Sequence, residues 1–110
     1  MTRADRAPSG SRYADQRQYA VPADLADLRG PHGGTVILDR ALDWSGDGTY
    51  DLDDAGDRQI MYQTVLNEAA TADDLCRWLD GDVLRRIWST LWLPAPLRAL
   101  WQSRFPELAG

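Results

Sequence analysis

The stretch Thr71–Pro94, TADDLCRWLDGDVLRRIWSTLWLP, decides the fold. Thr71 with Asp74 three residues on resembles a capping box in which the shorter Asp stands for Glu, so a helix opens here. Ala72, Leu75, Cys76 and Leu79 then share one face at helical spacing. Asp80-Gly81 ends that helix, and another is expected from about residue 82 to residue 91. At roughly 100° per residue, Val83, Ile87, Leu91, Leu84, Trp88 and Trp92 spread over about half the circumference of this second helix. Val83, Ile87 and Leu91 lie nearer the centre of the arc and belong to the core. Trp88 and Trp92 lie at its edge, beyond what a small core covers, and excess aromatic surface marks an interface.

Working outward, Pro94 and Pro96 open a last helix that presents Leu97, Leu100, Trp101 and Phe105. Toward the N-terminus, Asp53 or Asp54 can accept the first amide hydrogens of a helix that buries Met61, Tyr62, Val65, Leu66 and Ala69. Before it, Thr35-Val36-Ile37-Leu38 and Thr49-Tyr50-Asp51-Leu52 read as short strands joined through Ser45-Gly46-Asp47-Gly48. Pro22 and Gly30-Pro31 bracket a short helix at residues 23–29 that buries Leu25 and Leu28. The expected fold class is mainly α: a compact bundle of about four short helices preceded by a small β-hairpin. Residues 21–110 form a single α-rich domain. Residues 1–20 have only Tyr13 and Tyr19 as large apolar side chains and are expected to be a disordered tail.

Length and charge narrow the function. The chain has 110 residues, room for one core. No apolar run reaches the ~20 residues that span a bilayer, and no apolar segment follows the N-terminal arginines as a signal peptide requires. Cys76 is the only cysteine, which excludes an internal disulfide and four-thiolate metal sites and points to a reducing cytoplasm. Net charge is −5, so the chain as a whole repels nucleic-acid phosphate. The charge is uneven. Arg3, Arg6, Arg12 and Arg17 face two Asp in residues 1–20, a net of +2, and the remainder carries eight Arg against fifteen acidic groups, a net of −7. The basic arm can touch nucleic acid or an acidic partner; a solvated terminus is the simpler explanation. All 12 basic residues are Arg, a bias that GC-rich coding explains more simply than recognition of planar anions.

Candidates for chemistry are few. Residues 43–54 resemble an EF-hand calcium loop, with oxygen ligands from Asp43, Ser45, Asp47, the Thr49 carbonyl, Asp51 and Asp54. The last position is Asp rather than the longer Glu, a strand rather than a helix precedes the loop, and no second hand exists. An Asp/Gly turn followed by a helix cap accounts for the same residues. The glycine-rich Gly30-Pro31-His32-Gly33-Gly34-Thr35 follows a helix and lacks the Lys of a phosphate loop. His32 is the only histidine, which excludes a two-His metal site, and Cys76 between Leu75 and Leu79 reads as an inert core thiol. Residues 75–91 can be read as a helix-turn-helix presenting Arg85, Arg86 and Ser89, with Asp82 placed where phosphates would lie. No catalytic residue, metal or cofactor is expected.

The runs Leu42-Asp43-Trp44-Ser45-Gly46, Tyr50-Asp51-Leu52-Asp53-Asp54, Met61-Tyr62-Gln63-Thr64-Val65-Leu66 and Leu91-Trp92-Leu93-Pro94 through Phe105-Pro106-Glu107-Leu108 resemble small actinobacterial proteins encoded beside AbiEii-like nucleotidyltransferase toxins and regarded as their antitoxins. The resemblance covers residues 21–109. It implies a protein partner, a toxin that adds nucleotides to RNA, silenced by direct contact, and it assigns no individual binding residue. Those come from the helix argument: Trp88, Trp92 and Trp101, with Arg85 and Arg98 interleaved, the residue types enriched at binding hot spots. The alternative is that a bundle of short helices needs its bulky side chains for its own core. The expected function is therefore that of a non-enzymatic, antitoxin-like cytoplasmic binder. A DNA-binding regulator using the arm and the third helix is the main alternative, with a calcium-binding module behind it.

Overall fold

The structure is a computed structural model that describes residues 19–43 and 48–109. The expected tail with Arg3, Arg6, Arg12 and Arg17 falls on residues that lie outside the described ones, as do Trp44, Ser45, Gly46 and Asp47; only Tyr19 and Ala20 of the expected tail are described, and both pack partly against the core. Among the described residues the protein is mainly α, with four α-helices preceded by a two-stranded antiparallel hairpin. No helix of these residues is long and apolar enough to cross a membrane.

The short helix expected at residues 23–29 is a 3₁₀ turn, Leu25–Asp27, whose Asp24 cap accepts from Ala26 N–H at 2.9 Å. It still buries Leu25 and Leu28. Strands β1 (Thr35–Ile37) and β2 (Thr49–Asp51) pair with Val36 opposite Tyr50, so Val36 faces the core while Thr35 and Ile37 face outward. Leu52 follows, fully buried, and the chain enters helix α1 (Ala55–Glu68). Asp54 rather than Asp53 is its cap, accepting from Asp57 N–H at 2.9 Å. Met61, Tyr62, Val65 and Leu66 give α1 its buried face, as their spacing requires.

Helix α2 (Ala72–Trp78) is capped by Thr71, whose Oγ1 accepts from Asp74 N–H at 3.3 Å. The carboxylate of Asp74 returns a contact to Ala70 N–H at 3.2 Å, one residue before the position a capping-box Glu serves. Asp80 caps the next helix, α3 (Gly81–Ile87), through Val83 N–H at 3.0 Å. Gly81 is thus the first residue of α3 and not only a turn. A side chain there would meet the Leu25 carbonyl oxygen at 2.5 Å, and one at Gly30 would meet the Trp78 backbone at 2.4 Å. These two glycines let residues 28–30 lie directly on the α2–α3 junction, with Gly30 N–H on Leu79 O at 2.8 Å and Gly81 N–H on Leu28 O at 3.0 Å. Beneath this junction, Tyr62 accepts from Asp80 N–H at 2.9 Å, and burial pushes its hydroxyl up to about 12.

Helix α3 is shorter than expected. At Ile87 the backbone turns to φ −105°, ψ −1°, a 3₁₀ turn Trp88–Thr90 follows, and Leu91 is extended. Residues 91 and 92 are therefore not on the helix that the wheel assumed. Helix α4 (Ala95–Arg104) comes next, started by the proline pair, and a 3₁₀ turn Pro106–Leu108 closes the described chain. The core runs through all four helices and the hairpin, from Leu25 and Leu52 to Leu97, Trp101 and Leu108.

Candidate interaction surface

The five residues expected to meet a partner separate into three environments. Trp88 and Trp101 are core. Trp88 is 3% exposed and Trp101 is fully buried, with ring centroids 6.2 Å apart, and the Phe105 ring lies 5.6 Å from that of Trp101. Their expected place at a partner surface is corrected: with Trp92 no longer on the helix, the Trp88 indole reaches from the edge of the remaining arc into the core, onto Trp101. Ile87, expected nearer the core centre, is only half-buried and packs at the core margin. Arg85 is engaged within the chain, its Nε on Glu107 at 2.8 Å and its Nη1 on Asp82 at 2.7 Å. Arg98 lies over the Trp88 ring at 5.1 Å and donates to the Leu91 carbonyl. Its role is to hold the segment before α4.

Trp92 remains, and it is 85% exposed. The local sequence makes it so. Leu93 precedes a proline, which disfavours helical backbone and favours an extended one. In an extended Leu91-Trp92-Leu93 neighbouring side chains alternate in direction. Leu91 is buried and Leu93 packs against the core, so the indole between them points outward. The backbone beneath it is pinned from two sides. On α1, Gln63 Oε1 accepts from Trp92 N–H at 2.7 Å, and Gln59 Nε2 donates to Thr90 O at 2.8 Å and to Gln63 Oε1 at 3.3 Å. On α4, Arg98 holds Leu91 O. Burying an exposed indole on docking removes on the order of 150–250 Å² from water, and a held backbone means that little ordering entropy opposes it.

Trp92 forms a wall of two clefts. One, of about 320 Å³, is lined by Leu42 and by the polar Asp43, Gln63, Thr64, Asn67 and Glu68. The other, of about 520 Å³, is lined by Leu91, Leu93, Pro94 and Arg98. Gln59, Gln63 and Glu68 were not singled out from sequence, and Asp43 was read there only as a calcium-loop ligand. The i, i+4 spacing of the two glutamines on α1 was readable, but their partner 29 residues away was not.

The remaining candidates have internal roles. Asp43 accepts from Tyr50 Oη–H at 2.6 Å, Asp51 Oδ1 from Asp53 N–H at 2.9 Å, and Asp54 caps α1. Ser45 and Asp47 of the calcium-loop reading lie outside the described residues. Among the described residues no group of three or more His, Cys, Asp or Glu is placed to hold a metal ion. Cys76 is half-buried, and burial first, then Asp27 and Asp73, raises its thiol above the ordinary value, opposite to what activates a nucleophile. For the helix-turn-helix reading, Arg86 is exposed on α3, but Arg85 beside it is tied to Asp82 and Glu107. Comparison with known proteins found no matching family model, no matching curated protein and no matching solved structure.

Proposed function

We propose that this chain works by binding another protein, without chemistry of its own, and that Trp92 is the anchor of the contact. The observation that carries the reading is a large indole exposed on a backbone pinned by Gln63 and Arg98, with a cleft on either side. Aromatic anchors in such settings dominate binding energy, and pre-organisation lowers the cost of docking. The partner to test is the one that the sequence resemblance implies, an AbiEii-like nucleotidyltransferase toxin, which the chain would silence as an antitoxin in the cytoplasm.

The test is co-expression of the full chain with such a toxin from the same gene neighbourhood. The expected result is copurification and rescue of growth, both reduced by Trp92→Ala at unchanged expression. Rescue and copurification that are indifferent to Trp92→Ala overturn the anchor, and loss of neither toxicity nor enzyme activity with the wild-type chain overturns the antitoxin reading.

A further inference from the structure

We infer that Gln63, braced by Gln59, is a positioning residue: it sets the direction in which Trp92 leaves the molecule while adding little to the stability of the fold. The inference rests on the reading of Trp92 as an anchor and names the residues through which α1 controls it. Residues 91–94 lie between the 3₁₀ turn Trp88–Thr90 and α4 and have no secondary structure of their own. Two hydrogen bonds of this segment are local, Leu91 N–H to Trp88 O at 3.1 Å and Arg98 to Leu91 O, and they tie it only to the elements on either side. Among the described residues, the hydrogen bonds that tie residues 90–92 to a distant part of the chain end on the side chains of Gln59 and Gln63.

The two glutamines, one helical turn apart, fix each other. Gln63 Oε1 takes two donors, Trp92 N–H at 2.7 Å and Gln59 Nε2 at 3.3 Å, and Gln59 Nε2 also donates to Thr90 O at 2.8 Å. A Gln63 amide turned end for end would set its own Nε2 against both donors, so the network allows it one orientation. Leu91, 3% exposed, anchors the depth of the segment, but apolar contact is non-directional and does not choose the way the next residue points. The hydrogen bond to Trp92 N–H does. That bond is exposed, so water can replace Gln63 on the N–H and little stability is lost with it. Position has no such substitute: without the acceptor the indole samples several directions, and docking must first order it.

The experiment uses the full chain, ¹⁵N-labelled, as wild type, Gln63→Met and Gln63→Glu. Methionine keeps the length of the side chain and removes the acceptor; glutamate keeps the acceptor. Hydrogen exchange and the heteronuclear NOE of the Trp92 backbone amide are followed, with Tm measured beside them. In Gln63→Met this amide is expected to exchange at least about tenfold faster and its NOE to fall below that of α1. Tm is expected to stay within about 8 °C of wild type, the shift that one exposed hydrogen bond can carry. Gln63→Glu is expected to return both amide signals to their wild-type values. Titrated with an AbiEii-like nucleotidyltransferase, Gln63→Met is expected to bind about two- to tenfold more weakly than wild type. A Trp92 amide as protected in Gln63→Met as in wild type overturns the inference, as does a fall in Tm as large as that of Trp88→Ala or a failure of Gln63→Glu to restore order. Equal affinities of wild type and Gln63→Met, with Trp92→Ala weakened, overturn the positioning role and leave the anchor in place. Equal affinities of all three overturn the anchor and the inference with it. If the enzyme does not bind the wild-type chain, the antitoxin reading falls, and the amide measurements still decide whether Gln63 positions Trp92.

Discussion

Trp88→Ala and Trp92→Ala, four residues apart, should have opposite consequences for stability. The Trp88 ring is 3% exposed, packs on Trp101 and is covered by Arg98, so its removal leaves a cavity between α3 and α4. Loss of a buried Trp costs about 3–5 kcal/mol. Each kcal/mol lowers Tm by about 4–8 °C in a domain of this size, so a fall of at least about 12 °C is expected. Trp92 is 85% exposed, and what Gln63 holds is its backbone N–H, which alanine keeps. Its removal should change stability by no more than about 0.5 kcal/mol. Ile87→Ala should fall between the two, because Ile87 is half-buried. Thermal unfolding followed by circular dichroism, with urea titration as a second measure, separates the three. If Trp92→Ala lowers Tm as far as Trp88→Ala, the outward indole is wrong and the proposed anchor is a core residue.

Tyr62→Phe keeps the ring but removes the acceptor of the half-buried Asp80 N–H, so urea titration should show a loss of about 1–3 kcal/mol. The same hydroxyl makes stability fall at high pH. The unfolded chain releases the Tyr62 proton near 10, while the folded protein keeps it until about 12, so the folded state binds more protons in that window and its stability drops as pH rises. The loss should approach about 3 kcal/mol between pH 10 and 12, and Tyr62→Phe should reduce it. Millimolar calcium should leave Tm unchanged, because Asp43, Asp51 and Asp54 serve Tyr50, Asp53 and the α1 cap. A site filled at a hundred times its dissociation constant would add about 2.7 kcal/mol, which the same melt would detect.

Local chemistry was legible in the sequence. Asp54 and Thr71 marked their helices, and the apolar spacing on α1 named its buried face. The hairpin followed from one β-branched run, one run alternating polar with apolar, and the Gly/Asp stretch between them in sequence. What depended on distant backbone was not legible. Gly81 looked like a helix stop because nothing local says that the Leu25 carbonyl lies 2.5 Å from where its side chain would be. The error at the site had a local cause. A wheel drawn through residue 92 treated Trp88 and Trp92 as equivalent edges, although Leu93-Pro94 already favoured an extended backbone before α4. Ending the helix there would have turned Trp92 outward by alternation and sent Trp88 into the core. Nothing local could show that Gln63 would hold the Trp92 backbone.

The most direct test of Trp92 as the binding anchor is calorimetric titration of the proposed partner, an AbiEii-like nucleotidyltransferase, with wild-type chain and with Trp92→Ala, after both have been shown to melt at the same temperature. Loss of a central aromatic anchor costs about 2 kcal/mol or more, so the variant should bind at least about thirtyfold more weakly. Equal affinities from two equally stable proteins would contradict the proposal and move the contact away from Trp92.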